Sequence, residues 1–123
     1  MRVRTFKPQF APLVKSGIKR QTIRPLPKRL PKAGDHESWR QWTGRPYNSP
    51  QLELAQVELT SVRPITISSD GVTVDGQKMS YAQETVLAQL DGFKDCVSFM
   101  LWFQKEHGLP FNGIMIKAKD LKC

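Results

Sequence analysis

The chain has 123 residues, 39% of them hydrophobic and 24% charged, which suits a single domain over residues 1–123 and argues against wholesale disorder. The two cysteines, Cys96 and Cys123, make no disulfide framework, so a reduced, cytoplasmic setting is expected. No run of about 18 apolar residues occurs, and residues 1–10 carry three cations without an apolar core. Neither a membrane span nor a secretory signal is therefore predicted.

Positive charge is concentrated in the first third of the chain. Residues 1–46 contain twelve Lys or Arg and two acids, a net +10, whereas residues 47–123 contain seven cations and nine acids, a net −2. Such asymmetry is typical of surfaces that meet phosphates, because neutralising phosphates releases condensed counterions. A solvated basic face, or a surface for an acidic protein partner, would give the same counts. Three prolines interrupt the basic stretch, which disfavours a membrane-binding amphipathic helix.

The N-terminal half predicts one short helix and two strands. The apolar spacing in residues 8–16 predicts one or two helical turns, which Gly17 ends. Residues 18–24 lose the helical period and stop at a proline, which indicates a short strand. After a loop rich in proline and lysine, residues 38–42 alternate polar and aromatic side chains and predict a second strand.

The middle of the chain predicts strands with a bulge and a hairpin. Apolar side chains in residues 52–59 change parity, so this long strand either bulges near Gln56 or is partly buried on both faces. Residues 65–67 and 72–74 flank a turn and predict a small hairpin, and Asp75-Gly76 predicts a further turn.

The C-terminal part predicts two helices and a final strand. Ser80 and Gln83 form a capping box for a helix that Gly92 ends. Asp95 can cap a second helix, which is apolar on most sides and is expected to pack deeply. Residues 113–118 predict the last strand. The fold class expected is α+β: a small, curved, partly open β-barrel with a short N-terminal helix and a helical pair before the last strand.

Metal and nucleotide-hydrolysis sites are not expected. The soft ligands His36, Cys96, His107 and Cys123 show no recognised ligand spacing, and the glycines are isolated turn or cap residues rather than a phosphate-binding loop. We therefore predict no metal and no cofactor.

The most informative segment is residues 16–25. Five polar side chains crowd the short strand predicted there, namely Lys19, Arg20, Gln21, Thr22 and Arg24. So many polar groups leave little apolar surface to pack, which indicates a strand at the edge of a solvent-filled cleft.

This segment resembles the signature of the ASCH family of the PUA-like superfamily: a short helix, a small-Gly turn, then Lys, two residues and Thr-Ile-Arg. The resemblance continues over nearly the whole chain except residues 43–79, at Lys32-Ala33-Gly34-Asp35, Asp91-Gly92-Phe93, residues 99–103 with Trp102, and Pro110-Phe111-Asn112-Gly113. It implies a PUA-like β-barrel whose basic cleft accepts RNA or a modified nucleoside.

The resemblance also implies a second function. Some ASCH members bind RNA, and a bacterial branch hydrolyses N4-acetylcytidine to cytidine and acetate with a Lys, a Thr and a Glu. The first two match Lys19 and Thr22, while Asp91 stands where the Glu is expected and is one methylene shorter, a difference that can slow a reaction. In that chemistry Lys19 takes the Thr22 proton, Thr22 attacks the acetyl carbonyl, and Asp91 holds or protonates the leaving nitrogen.

Strand geometry sets a condition on this chemistry. Strict alternation puts Lys19 and Thr22 on opposite faces of a strand, so joint action needs Lys19 in the turn before the strand, or a bulge between the two. Plainer roles fit the same residues: Lys19 and Arg20 as solvated cations, Thr22 as a good strand former, and Arg24 paired with Asp91 to hold strand against helix.

Ligand contacts are expected from Arg20, Gln21 and Arg24 beside the candidate catalytic residues. Trp39, Trp42 and Tyr47 lie near Arg40 and Arg45 in sequence and could form a stacking platform for unpaired bases, although alternation also favours at least one tryptophan in the core. Two functions follow: an RNA- or nucleoside-binding domain, or an amidohydrolase acting on N4-acetylcytidine.

Overall fold

A computed structural model describes residues 1–121 of the chain, so Cys123 lies outside the described residues. These described residues form seven strands and three helices in the order β1 (Arg2–Thr5), α1 (Ala11–Ser16), β2 (Gln21–Pro25), β3 (His36–Trp42), β4 (Gln51–Ser68), β5 (Gly71–Val74), β6 (Gln77–Lys78), α2 (Tyr81–Leu90), α3 (Cys96–His107) and β7 (Phe111–Asp120).

The strands form one sheet that curls into a partly open half-barrel. The long strand β4 pairs antiparallel with β3 along its first part, with β7 along its second part and with β5 at its end. β1 adds to β3 in parallel, and β2 pairs antiparallel with β7. The α+β class, the partly open curved sheet, the short N-terminal helix and the helical pair before the last strand are confirmed.

Two irregularities bend β4 and help the sheet to curl. Trp39 faces Ala55 while Arg40 faces Glu53, which leaves Leu54 as an extra residue. A second register shift, between Leu59 and Ser61, interrupts the pairing with β7. A bulge increases the local twist of a strand. In place of the single bulge predicted near Gln56, β4 has two bulges, one on each side of that residue. The strands predicted over 52–59 and 65–67 are parts of one continuous strand.

The hydrophobic core has two clusters that meet at the site described below. One cluster lies under α2 and α3 and includes Ile23, Phe99 and Phe103. The other lies against α1 and includes Phe6 and Phe10. Phe93 and Trp102 pack against both clusters, so these two rings mark the boundary between them.

The start of the chain and α3 differ from expectation. No strand is predicted at the N-terminus, yet β1 pairs with β3 and is held by the Arg4 guanidinium, which donates to both carboxylate oxygens of the buried Glu37 at 2.7 and 2.6 Å. The prediction that α3 packs deeply is wrong for one side of the helix, where Val97 and Leu101 are exposed. Within residues 1–121, no helix is both long and apolar enough to cross a membrane.

Candidate functional site

Lys19 lies in the turn before β2, not within a strand. The strand predicted over 18–24 begins only at Gln21, and the Lys19 backbone N–H donates to the Leu13 carbonyl at 3.0 Å, which ties the turn to α1. The alternation that would separate Lys19 from Thr22 therefore does not apply. Both residues line the same cavity.

The cavity has a volume of about 170 Å³ and lies where the two core clusters meet. An apolar cavity of about 150 Å³ is known to hold one benzene molecule, so this space suits a single ring and its substituents. Aromatic side chains form much of the wall, and polar groups come from β1, β2, α3 and the loops between elements. Its lining comprises Thr5, Phe6, Lys7, Phe10, Lys19, Thr22, Ile23, Arg24, Pro25, Asp91, Trp102, Phe103 and His107.

Lys19 and Asp91 form a buried pair within this lining. Their exposed fractions are 2% and 4%. The Lys19 ammonium donates to the Asp91 carbonyl at 2.6 Å, and its Nζ lies 3.4 Å from Asp91 Oδ1. Nζ also lies 5.0 Å from the centre of the Phe10 ring. An ammonium has three N–H donors, so at least one remains for a ligand in the cavity.

The end of α2 brings Asp91 to this position. Asp91 ends the helix, with its N–H donating to the Leu87 and Ala88 carbonyls. The next residue, Gly92, has a φ of 102°, and a Cβ built on it would lie only 3.1 Å from Leu13 and 3.2 Å from Phe10. Only glycine suits both this left-handed backbone and so close an approach to α1.

Burial shifts both members of the pair towards their neutral forms. Desolvation lowers the pKa of Lys19, although the charge of Asp91 opposes the shift. Desolvation likewise raises the pKa of Asp91, against the opposing effect of Lys19 and of the Gln21 hydrogen bond. An amine that loses its proton more easily and a carboxyl that keeps its proton more easily are suited to general base and general acid roles.

Thr22 and Arg24 extend the site along one face of β2. The Arg24 Nε donates to Thr22 Oγ1 at 2.9 Å, and its Nη2 donates to the Thr5 carbonyl at 2.9 Å. Thr22 is 3% exposed and still has its own hydroxyl proton to donate. Burial, followed by the charge of Arg4, lowers the pKa of Arg24 to about 10, so the guanidinium stays positive at neutral pH.

Gln21 lies behind the site and does not line the cavity. Its Nε2 donates to the Leu87 carbonyl at 3.1 Å and to Asp91 Oδ1 at 3.2 Å, so it orients the carboxylate. Its buried Oε1 has no hydrogen-bond partner within residues 1–121. The ligand contact predicted for Gln21 is therefore replaced by a positioning role.

Four further predicted ligand residues lie elsewhere, and Arg20 and Trp39 are the first two. Arg20 is bound to Asp120 at 2.7 Å and to the Val14 and Lys19 carbonyls, so it fastens α1 to β7. Trp39 is 0% exposed and packs against Phe6, and its Nε1 donates to Glu37, so the stacking prediction is wrong for this residue.

The two arginines of the predicted platform separate as well. Arg40 donates to Ser38 Oγ at 2.8 Å and to Gln51 Oε1 at 3.2 Å, away from the cavity lining. Arg45 is exposed in the loop between β3 and β4 and does not line the cavity either. The predicted set thus reduces to Lys19, Thr22, Arg24 and Asp91 around the cavity.

Sequence analysis does not identify the aromatic residues of the cavity wall or His107 as parts of the site. Phe6, Phe10 and Trp102 are ordinary core residues by pattern, and they meet only because the two ends of the chain fold together. His107 ends α3 at the cavity, and its ring packs 4.9 Å from Phe111. Burial lowers the pKa of His107, which favours a neutral imidazole at the cavity wall.

Residues 1–121 contain no group of three His, Cys, Asp or Glu side chains that could hold a metal ion. The buried Cys96 lies outside the cavity, and burial raises the pKa of its thiol. Comparisons with family models, with curated proteins and with solved structures found no match for this chain.

Proposed function

We propose that this chain binds a nucleoside, free or as an unpaired nucleotide of RNA, with the base inside the cavity. The observation that carries this proposal is that Lys19, Thr22 and Asp91 line one ring-sized cavity with aromatic walls. Phenyl and indole rings offer stacking surfaces for a base. The polar groups supply hydrogen bonds at its edge, which a hydrocarbon ligand would leave unused.

Cytosine suits the donors and acceptors of this site. Its amino group at position 4 can donate a hydrogen bond to the Asp91 carboxylate, whereas uracil has an acceptor oxygen at that position. Lys19 can donate to an acceptor on the same ring edge. The basic N-terminal third would attract the phosphates of a nucleotide. We therefore expect cytidine to bind more tightly than uridine.

Calorimetric titration with cytidine and uridine tests the binding proposal. Lys19→Met removes a buried charged donor, and such bonds contribute about 1.5–3 kcal/mol, so cytidine affinity should fall at least tenfold. Lys15→Met is the matched control, because Lys15 is an exposed lysine outside the cavity. Absence of binding by the wild type, or equal affinity in Lys19→Met, would contradict the proposal, provided that circular dichroism shows the variants folded.

A second candidate function, hydrolysis of N4-acetylcytidine, is favoured by the opposite pKa shifts of the buried pair. The neutral Lys19 amine would take the Thr22 hydroxyl proton while Thr22 Oγ1 forms a bond to the acetyl carbon. The bond from that carbon to N4 then breaks, and N4 takes a proton from Asp91 to give cytidine. Water cleaves the Thr22 ester to acetic acid and the free hydroxyl, and the Lys19 ammonium returns its proton to Asp91. Asp91 Oδ1 lies 3.4 Å from Lys19 Nζ, so the aspartate reaches Lys19 although its side chain is one methylene shorter than a glutamate.

Chromatography of cytidine released from N4-acetylcytidine tests this candidate. Lys19→Met and Thr22→Val should each lower the rate by about 10² to 10⁴, whereas Thr22→Ser keeps a hydroxyl and should retain activity. The rate should fall at low pH as Lys19 gains a proton and at high pH as Asp91 loses one. Turnover no faster than in Lys19→Met would remove the hydrolase and leave the binding proposal standing.

The ASCH assignment within the PUA-like superfamily is part of this proposal. It is supported by the half-barrel sheet, by the lysine in the turn before β2 and by the acid at the end of α2. A solved complex with cytidine in the cavity would support it further, whereas a base bound elsewhere on the sheet would count against it.

A further inference from the structure

A second cavity adjoins the first and has an aromatic pair on its far side. Its volume is about 370 Å³, and it shares Thr5, Phe6, Lys7 and Arg24 with the smaller cavity. The remaining wall comes from Pro8 and from the end of β3 and the loop that follows it, including Trp42 and Tyr47. The rings of these two residues lie 5.1 Å apart at 49°.

Tyr47 lies at the surface of the loop between β3 and β4. Tyr47 is 86% exposed, which is unusual for a residue with a large aromatic side chain. Tyr47 also has a φ of 64°, a left-handed conformation that is costly for a bulky residue. The loop is braced by hydrogen bonds from Thr43 N to the Pro50 carbonyl and from Gly44 N to Ser49 Oγ.

Arg24 stands between the two cavities and lines both. Its Nε and Nη2 are used by Thr22 and Thr5, while no acid within residues 1–121 lies within ion-pair distance of it. A guanidinium has five N–H donors, so some remain for an anion at the boundary. The second shared cation, Lys7, is engaged by Glu106 at 2.8 Å.

We propose that the second cavity binds the nucleotide next to the one in the first cavity, with its base against Trp42 and Tyr47 and the linking phosphate at Arg24. The inference rests on the proposed nucleoside binding and names its substrate class: an oligonucleotide rather than a free nucleoside. Stacking rings, a cation at the boundary and four lining residues common to the two cavities suit a dinucleotide.

Affinities for cytidine and for the dinucleotides cytidylyl-uridine and uridylyl-cytidine, measured by calorimetry, test the inference. At least one dinucleotide should bind more tightly than cytidine. Tyr47→Ala and Trp42→Ala should each weaken that dinucleotide by about 5- to 150-fold and leave cytidine unchanged. Tyr47→Trp should keep the gain. Tyr81→Ala is the matched control, because Tyr81 is also exposed, at 71%, and lines neither cavity.

The outcomes separate the two proposals. Cytidine binding without any gain for the dinucleotides overturns the second site and leaves the first. A gain that survives in both alanine variants overturns the assignment to Trp42 and Tyr47. No binding of cytidine or of either dinucleotide overturns the proposed function and this inference with it.

Discussion

The buried pair of Lys19 and Asp91 is the residue-scale feature on which the functional account depends. A structural role has one observation in its favour: the Lys19 ammonium caps the carbonyl end of α2, where cations are stabilising. Yet taking both charges out of water has a desolvation penalty that their attraction does not repay fully, as both pKa shifts indicate. A buried pair with such a penalty contributes little to the stability of the fold.

A double-mutant cycle distinguishes these roles. Lys19→Met or Asp91→Leu alone leaves one buried group unpaired and should lower the free energy of unfolding by about 3–5 kcal/mol. The double variant removes both groups and should be at least as stable as the wild type, with a gain of up to about 4 kcal/mol, while losing cytidine binding. Urea denaturation measures the stabilities. A double variant as unstable as the sum of the singles would make the pair a structural support.

The second buried acid predicts an acid-sensitive fold. Burial raises the pKa of Glu37, but hydrogen bonds from Arg4 and Trp39 outweigh it and hold the pKa below its ordinary value. A depressed pKa means that the carboxylate contributes stability above the unfolded pKa, about 4.3, and loses it as the pH falls through the folded pKa. Urea midpoints should therefore drop below pH 4 in the wild type. Glu37→Gln should be less stable at pH 7 and less pH-dependent, and identical pH curves would contradict this.

At the scale of elements, β2 is positioned by its close contact with β7. Pro25 faces Gly113 in the pairing, and a Cβ on Gly113 would lie 2.2 Å from the Arg24 carbonyl and 2.8 Å from the Phe111 ring. Glycine is thus required by space, because backbone atoms cannot shift as the tip of a long side chain does.

Gly113→Ala should therefore disturb both stability and site. We expect the free energy of unfolding to fall by about 1–3 kcal/mol, as for other overpacked positions, and cytidine affinity to fall because Arg24 moves with its carbonyl. Gly44→Ala is the matched control, since its Cβ would meet Ser49 at an ordinary 3.4 Å. Thermal unfolding compares the two variants, and equal melting temperatures would contradict the role given to Gly113.

Elements with local signals are the ones that sequence predicts well. The capping box at Ser80 and Gln83 and the cap at Asp95 place both C-terminal helices, because cap and helix are neighbours in the chain. β1 has no such signal: its parallel partner starts at His36, and the Arg4–Glu37 bond joins residues 33 positions apart. The side chains of Val97 and Leu101 mislead for the opposite reason, because apolar residues on a helix need not all be covered.

The basic first third of the chain also lines a cleft that is separate from the two cavities. This wide cleft of about 620 Å³ is lined by three cations and two acids, with His36 beside them: Arg2, Arg29, Lys32, Asp35 and Glu37. None of these three cations has an acidic partner within residues 1–121. β1 runs from this cleft to the paired cavities, and at about 3.3 Å per residue the distance is about 10 Å.

Binding of single-stranded RNA should accordingly weaken with salt. About five phosphate contacts would give a slope near −3.5 for log affinity against log salt concentration. Arg29→Gln and Lys32→Gln should each make the slope shallower by about 0.7, whereas Lys94→Gln, an exposed cation away from the cleft, should not. Fluorescence titration at several salt concentrations measures the slope. A slope unchanged in all three variants would contradict an RNA path over this cleft.

The site itself is only half readable from sequence. The turn and strand of residues 19–24 reveal the polar groups, because so many of them in a short strand are unusual. The aromatic walls of the cavity cannot be predicted in this way, because Phe6 and Trp102 are 96 positions apart in the sequence and have the pattern of ordinary core residues. Tertiary folding alone decides that these rings enclose a space instead of filling it.

Magnetisation transfer between ligand and protein shows whether a base occupies the cavity beside Lys19. In Thr22→Ala protein saturated with N4-acetylcytidine, nuclear Overhauser effects are expected between the acetyl methyl or ring protons and the rings of Phe10 and Trp102, which line the cavity. Contacts confined to Tyr81, or to other surface residues outside both cavities, would contradict the account.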